Sequence, residues 1–324
     1  LRTAQGRLAL LEGASITGGA IDQLVATSGR LTVDGGATIS NAATTAPIDV
    51  LAGRTLTIGG LVNNAEIVVN PTAAAGTTRL RAPGTQTLDG TGIVTLNAPT
   101  QPETRARLEA GSSPNLLTFG PGQTLRGSGS VSGRISYEGT IAPGIESTTG
   151  RIVFENPPLL TPNAVLAIDL ASPALYDSIV VKQPYTLGGV LRVTLLNGFN
   201  PVGTNLFTII DADPAATRTG GFDSFQLPPV PPSPIPRVWR LNYQSQDVTL
   251  RLTCQADFNA DGLVDDVDFQ YFTVAYDELL CPSSPNPNFP NQPDPCPADL
   301  NADDLVNDDD FSLFATAYNL TLCQ

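Results

Sequence analysis

Near the end of this 324-residue chain one unit occurs twice, offset by 42 positions. The first copy holds Cys254, Asp257, Asn259, Asp261, Leu263, Val264, Asp265, Asp268, Phe269, Phe272, Ala275, Tyr276 and Cys281. Their counterparts are Cys296, Asp299, Asn301, Asp303, Leu305, Val306, Asn307, Asp310, Phe311, Phe314, Ala317, Tyr318 and Cys323. In each copy an oxygen-rich loop comes first. An apolar stripe at spacing of three to four follows it: Phe269, Phe272, Tyr276 and Leu279, then Phe311, Phe314 and Tyr318. That period predicts an amphipathic helix after each loop. A chain with this tail must end in a small duplicated module.

The loops have the chemistry of a calcium site. Asp257, Asn259, Asp261, Asp265 and Asp268 place side-chain oxygens at loop positions 1, 3, 5, 9 and 12, with the Leu263 carbonyl at 7. A hard cation takes six to eight oxygens, and a tight loop aims them inward at alternate positions. Gly262 suits the positive φ that the turn needs. In the second loop the ligands are Asp299, Asn301, Asp303, Leu305, Asn307 and Asp310, with Asp304 in the glycine position. Asp tolerates the left-handed region at a cost of roughly 1 kcal/mol, so two sites are expected and the second is the weaker. Asp at position 12 is also shorter than the usual Glu in both loops.

No helix pattern precedes either loop. A loop with an exiting helix and no leading one is half of an EF-hand, and two such halves resemble a type I dockerin domain. The resemblance covers residues 254–324, with repeats 254–281 and 296–323, and is nearest to the cysteine-flanked dockerins of secreted planctomycete-type proteins. It implies calcium-dependent folding and docking onto a cohesin-like module of another protein. In the cellulosomal family the recognition pair lies at loop positions 10 and 11, often Ser-Thr. Here Asp266-Val267 and Asp308-Asp309 occupy those positions as candidate partner contacts, a departure from the family pattern.

Charge marks the same boundary. The net charge is −14, and residues 254–324 hold 14 acids with no Lys or Arg, while 1–253 hold 17 of each sign. Two Ca²⁺ would cancel four of those charges, a physical reason for folding to depend on metal. Nucleic acid is an unsuitable partner, since no basic patch neutralises phosphate. All four Cys lie in the tail, and each pair is separated by 27 residues around one repeat. The even count at matched spacing points to disulfides rather than zinc. Of three connectivities, Cys254–Cys281 and Cys296–Cys323 are favoured. Oxidised Cys implies export to the cell surface or medium. The chain starts at Leu1 and lacks Met, so a processed or truncated form with its signal peptide upstream is expected. No apolar run is long enough to span a membrane.

Residues 1–252 read as all β. Short alternating runs recur between Gly and Asn turns: Arg30–Val33, Arg54–Ile58, Glu66–Val69, Thr85–Leu88 and Ile93–Leu96. Alternation of period two argues half-buried strands, and recurrence at about 20–27 residues argues a solenoid. Gly127–Ile135, followed by Gly139–Gly144, reads as strands of about three residues separated by tight turns. Gly139-Thr-Ile-Ala-Pro-Gly144, Val165–Leu170, Tyr176–Val181, Leu187–Leu191 and Gly203–Phe207 resemble the right-handed parallel β-helix of autotransporter passenger regions. From about residue 160, longer hairpin-like strands at Val190–Leu195, Leu206–Ile210, Val238–Tyr243 and Val248–Leu252 are expected to cap it. The proline-rich Leu227–Pro236 is expected to be a loop inside that cap, with an interdomain linker as the alternative.

A catalytic site is hard to place in this region. There is no His in the chain, and the acids of 1–252 are scattered. Asp169, Asp177 and Lys182 form the nearest approach to an acid–base group. Turn capping or pairing with Arg is the expected role of the two acids. The reading is therefore a secreted, non-catalytic structural or adhesive β-helix, held to a partner through a calcium-loaded module. A dockerin-bearing, polysaccharide-degrading enzyme and a self-assembling surface layer or fibre are the alternatives. Polysaccharide remains a possible partner of the body.

Overall fold

The computed structural model describes residues 2–4, 7–22, 29–100, 102–230, 236–278 and 296–320. The protein is mainly β, dominated by parallel pairing, with two helices at the C-terminal end. Strands fall into ladders that the chain visits in rotation. One ladder stacks Arg7–Leu10, Leu31–Val33, Ile48–Val50, Glu66–Val69 and Ile93–Asn97, and continues in parallel to Ser224–Gln226. A second stacks Ala14–Thr17, Gly36–Ser40, Thr55–Gly59, Thr78–Ala82 and Ala106–Ala110, and continues to Leu206–Ala212. Shorter strands form a third side in sections, among them Gln86–Leu88, Leu117–Phe119, Ile135–Tyr137 and Leu159–Leu160.

Period-two alternation fixes which side chains point inward. In the first ladder the register aligns Leu8, Leu31, Ile48, Ile67, Val94, Leu125, Ile141, Leu166, Leu191 and Phe225 in one column. The second aligns Leu56, Leu80, Leu108, Val131, Phe154 and Val181. Nearly all of these are fully buried. The third side adds Phe119 and Tyr137, whose ring centroids lie 5.6 Å apart, with Phe154 edge-on to Tyr137 at 6.0 Å. Outward positions are polar. Arg126 bonds Thr95 and Glu66 across neighbouring strands, and Arg30 grips Asp49 through two nitrogens at 2.6 and 2.9 Å.

The five runs expected from alternation near residues 30, 54, 66, 85 and 93 are all strands. Two expectations are corrected. Thr124–Ser132 is one nine-residue strand rather than short pieces between turns. Its first half pairs in one ladder and its second half in the next, and Gly127, at φ +97°, is where it bends. A Cβ there would meet the Leu96 carbonyl oxygen at 2.1 Å, so only glycine fits. Val190–Leu195 is not a hairpin strand; it pairs in parallel with Val165–Ser172 and Ser224–Gln226. At this end of the β region antiparallel pairing joins Arg237–Tyr243 to Val248–Cys254, the latter also lying antiparallel to Leu206–Ala212. Of the proline-rich stretch, 231–235 lie outside the described residues. Trp239 donates to the Pro228 carbonyl at 3.0 Å, which ties its start onto the cap.

Tyr137 generates a sharp expectation. It is fully buried and its hydroxyl has no hydrogen-bond partner. An unsatisfied buried hydroxyl costs about 1–3 kcal/mol. Tyr137→Phe should therefore raise the denaturant midpoint, by about 1 kcal/mol of stability. Tyr137→Ala should lose about 3–5 kcal/mol through the cavity it leaves. A Phe variant less stable than wild type would contradict the absence of a partner.

Candidate metal centre

Asp257 follows directly from the last strand of the β region. Val248–Cys254 ends, Asp257 N–H turns back to the Cys254 carbonyl at 3.1 Å, and the loop begins. Helix α1 spans Asp266–Glu278 and helix α2 spans Asp308–Leu320, so each loop runs into a helix as its stripe predicts. Acids fill both first turns, where the helix dipole favours negative charge. Phe272 and Phe314 are buried and stack at 5.1 Å, and Phe258 stacks on Phe314 at 5.9 Å. Phe269 and Phe311 remain 39% and 43% exposed, so the stripe is only half covered. Leu279 lies outside the described residues.

Inside the loops the carboxylates organise the backbone. Asp257 accepts from the N–H groups of Asp261 at 3.2 Å and Gly262 at 2.9 Å. Asp299 accepts from Asp303 at 3.1 Å and Asp304 at 2.8 Å. Asp268 accepts from Phe258, Asn259 and Asp265; Asp310 accepts from Leu300, Asn301 and Asn307. Asn259 and Asn301, and Asp261 and Asp303, close matching short turns. Asp265 and Asn307 each accept an N–H two residues on, at 2.9 and 2.8 Å. Each of these bonds within the first loop has its counterpart 42 residues later. Gly262 has φ +92° and Asp304 φ +66°, the conformation that the spacing predicts at position 6. Ala260 and Ala302 also sit at +58° and +60°, which residue identity gives no hint of.

In the second loop three of the acids expected to be ligands converge. Carboxylate oxygens of Asp299, Asp303 and Asp310 lie within 4.8 Å of one another. A Ca²⁺ holds its oxygens at 2.3–2.6 Å, so oxygens across one ion stand no more than about 5 Å apart. The trio fits that radius, and a donor set made only of oxygens suits a hard cation. Leu263 and Leu305 are exposed, with side chains 42% and 43% accessible, which leaves their role to the backbone carbonyl. In the first loop Asp257 and Asp268 are buried. Burial pushes the Asp268 carboxyl up to about 6, against the pull of its backbone donors. Burial also raises Asp257, opposed by bonds from Thr253 and Gly262 and by the Arg240 charge. A cation in the loop offsets that desolvation by favouring both charged forms.

The first loop is also joined to the β region by residues that the repeat does not reveal. Thr253 donates its hydroxyl to Asp257. Asn242 donates to the Asn259 carbonyl at 3.0 Å. The buried Arg240 donates to the Gln255 carbonyl and stands over the Phe258 ring at 5.3 Å. Arg251 lies so close to Gly262 that a Cβ there would meet its Nη1 at 1.8 Å. These partners come from strands, so no reading of the loop spacing could find them.

The candidate partner contacts are tied within the module. Tyr318 of α2 donates its hydroxyl to Asp266, and Tyr276 of α1 donates to Asp308. Val267 and Asp309 are exposed. Of the cysteines, Cys281 and Cys323 lie outside the described residues; among the described residues no cysteine is a free thiol. No helix among the described residues is long and apolar enough to cross a membrane. No protein-family model and no curated protein matches this chain.

Asp177 takes a capping role, whereas Asp169 lies within the strand Val165–Ser172, where its carboxylate bonds Thr194 near Arg192. Asp177 is buried and accepts from Gly150 N–H at 2.7 Å and Asp169 N–H at 3.0 Å. Lys182 is exposed at the end of its strand. Burial pushes the Asp177 carboxyl up to about 8, from 3.8. The unfolded chain therefore releases this proton first, and the group's contribution to stability falls as pH climbs from about 4 to about 8. Below that window both states hold the proton and the contribution is constant. Denaturation of wild type and Asp177→Asn across this range should show a steeper decline in wild type. Parallel curves would contradict the shift.

Proposed function

We propose that residues 254–324 form a dockerin-like calcium module and that the preceding region is a right-handed parallel β-helix serving as a structural or adhesive body. Each loop takes one Ca²⁺, through Asp257, Asn259, Asp261, Leu263, Asp265 and Asp268 in the first and Asp299, Asn301, Asp303, Leu305, Asn307 and Asp310 in the second. The calcium holds the loops closed, and the helices then present their outer faces to a cohesin-like module on another protein. The protein is exported, with disulfides Cys254–Cys281 and Cys296–Cys323 clamping the repeats.

The observation that carries this reading is the matched hydrogen bonding of the two loops around convergent carboxylates. Three carboxylates drawn within 4.8 Å repel one another, and a divalent cation removes that cost. Partial exposure of Phe269 and Phe311 favours a partner surface on the helix pair. The rotation of the chain through successive parallel ladders supports the β-helix. The second site is the weaker one, because Asp304 must hold φ +66° without the freedom of glycine.

Calorimetric titration of the full chain with Ca²⁺ tests this. Two binding events are expected, and chelation should reduce helical circular dichroism. Asp261→Ala should weaken one event and Asp303→Ala the other. Each loss should exceed the roughly 10–100-fold typical of removing an outer-shell partner. Asp304→Gly should tighten the weaker event. A chain that binds no calcium in oxidising buffer would leave the module without its cation and the docking role without its basis.

A further inference from the structure

A groove crosses the second ladder, away from the calcium loops. It consists of two adjoining hollows of about 620 and 230 Å³, which share Arg151. The larger lies in the size range of small-ligand sites. Its walls come from two excursions out of the regular strand rotation. On one side Val165–Ser172 doubles back as the antiparallel Leu175–Tyr176, which lifts these side chains above the ladder. On the other stands the turn containing Pro99 and Glu103.

The chemistry of the lining is specific. Arg151 pairs with Asp211 at 3.3 Å, and the two side chains are 45% and 52% exposed. Donor and acceptor are therefore held side by side and open to the groove. The Tyr176 ring is fixed edge-on by Phe207 at 5.4 Å, and Leu175 beside it is 60% exposed. Ser130 lines the smaller hollow, is 1% exposed, and its hydroxyl has no hydrogen-bond partner among the described residues. An unmet polar group at the inner end of a groove is costly unless a ligand or water meets it.

The same residues narrow the ligand class. Among the described lining residues, Arg151 and Lys182 face Glu103, Glu155, Asp211 and Asp247, so acids exceed bases. That excess disfavours a polyanion, whether nucleic acid or a uronic-acid polymer. The floor strands are already paired in parallel, Arg151 opposite Ser178 and Val180 opposite Asp211. The two-residue Leu175–Tyr176 is paired on one side, too short an edge for an extended peptide. A chain of neutral sugars meets each condition. Its rings carry donors and acceptors on adjacent hydroxyls and an apolar C–H face.

We propose that this groove binds a neutral oligosaccharide, with Tyr176 and Leu175 against the C–H face of one ring and the Arg151–Asp211 pair hydrogen-bonding adjacent hydroxyls. Ser130 takes a hydroxyl in the smaller hollow. The site is independent of the calcium reading and involves no bond cleavage.

The test is calorimetry of the full chain with cello-, xylo- and manno-oligosaccharides, in calcium and in chelator alike. Oligogalacturonate and an unstructured polar peptide serve as comparators. A neutral series should bind. Arg151→Ala and Leu175→Ser, both at exposed side chains, should each weaken it at least about tenfold, or 1.4 kcal/mol, with the melting temperature unchanged. Arg54→Ala, at an exposed ion pair with Asp34 elsewhere on the surface, should leave it unaltered. Three results would overturn the proposal: no neutral series binds, a comparator binds more tightly, or binding survives both groove substitutions.

Discussion

The whole molecule depends on like stacking on like in register. Each parallel step sets an aliphatic side chain directly over another, from Leu31 to Ile48 to Ile67 to Val94 and onward. A one-residue slip at any strand would turn its buried set to solvent. At roughly 25 cal/mol per Å² of apolar surface, that penalty recurs at every inward position of the strand, so register is held by burial rather than by turn chemistry. The turns are then free to vary, and excursions such as 172–176 and 99–105 are tolerated between strands that stay aligned. A polar corner is accommodated by the same logic. Asn63 and Gln123, both buried, bond each other at 3.1 Å, and Gln123 satisfies the Asn63 and Asp89 carbonyls.

The C-terminal module begins where that regularity ends. Its first loop grows out of the final strand of the β region and leans on Thr253, Arg240, Asn242 and Arg251. The second loop repeats the first in its own hydrogen bonds, yet its carboxylates are supported by loop backbone. The two loops are therefore alike in design and unlike in surroundings. A change in Val248–Cys254 reaches one of them directly. It reaches the other through contacts between the repeats, among them the stacked rings of Phe258, Phe272 and Phe314 and the crossed tyrosine–aspartate bonds.

Much of this could be read in the sequence, for physical reasons. The paired loops are legible because Asp and Asn recur 42 residues apart and close the same turns, and helices are legible because their buried stripe repeats at 3.6 residues. Glu66–Val69 and Ile93–Asn97 are legible because alternation has period two. Pairing partners are not encoded in that way. Val190–Leu195 has the length and composition of a hairpin strand, and only its neighbours make it parallel. The run from Thr124 to Ser132 misleads because its glycines read as turns. In the fold they are places where backbones approach closely. Ala260 and Ala302 adopt left-handed conformations imposed by the loop rather than by their own preference. Ser130 and Tyr176 carry no motif at all; what distinguishes them is the space they face.

The crossed pair of tyrosine contacts has a consequence for how such a module arises. Tyr276 reaches Asp308 and Tyr318 reaches Asp266, so each repeat supplies a hydroxyl to the other and receives one in return. A single repeat carries both the tyrosine and the aspartate, but cannot join them to each other across its own helix. Two copies of one ancestral repeat, meeting as separate chains about a twofold axis, would satisfy all four groups. A chain that carries the repeat twice holds this exchange within itself, so a change to the tyrosine or aspartate of one half also alters a contact of the other.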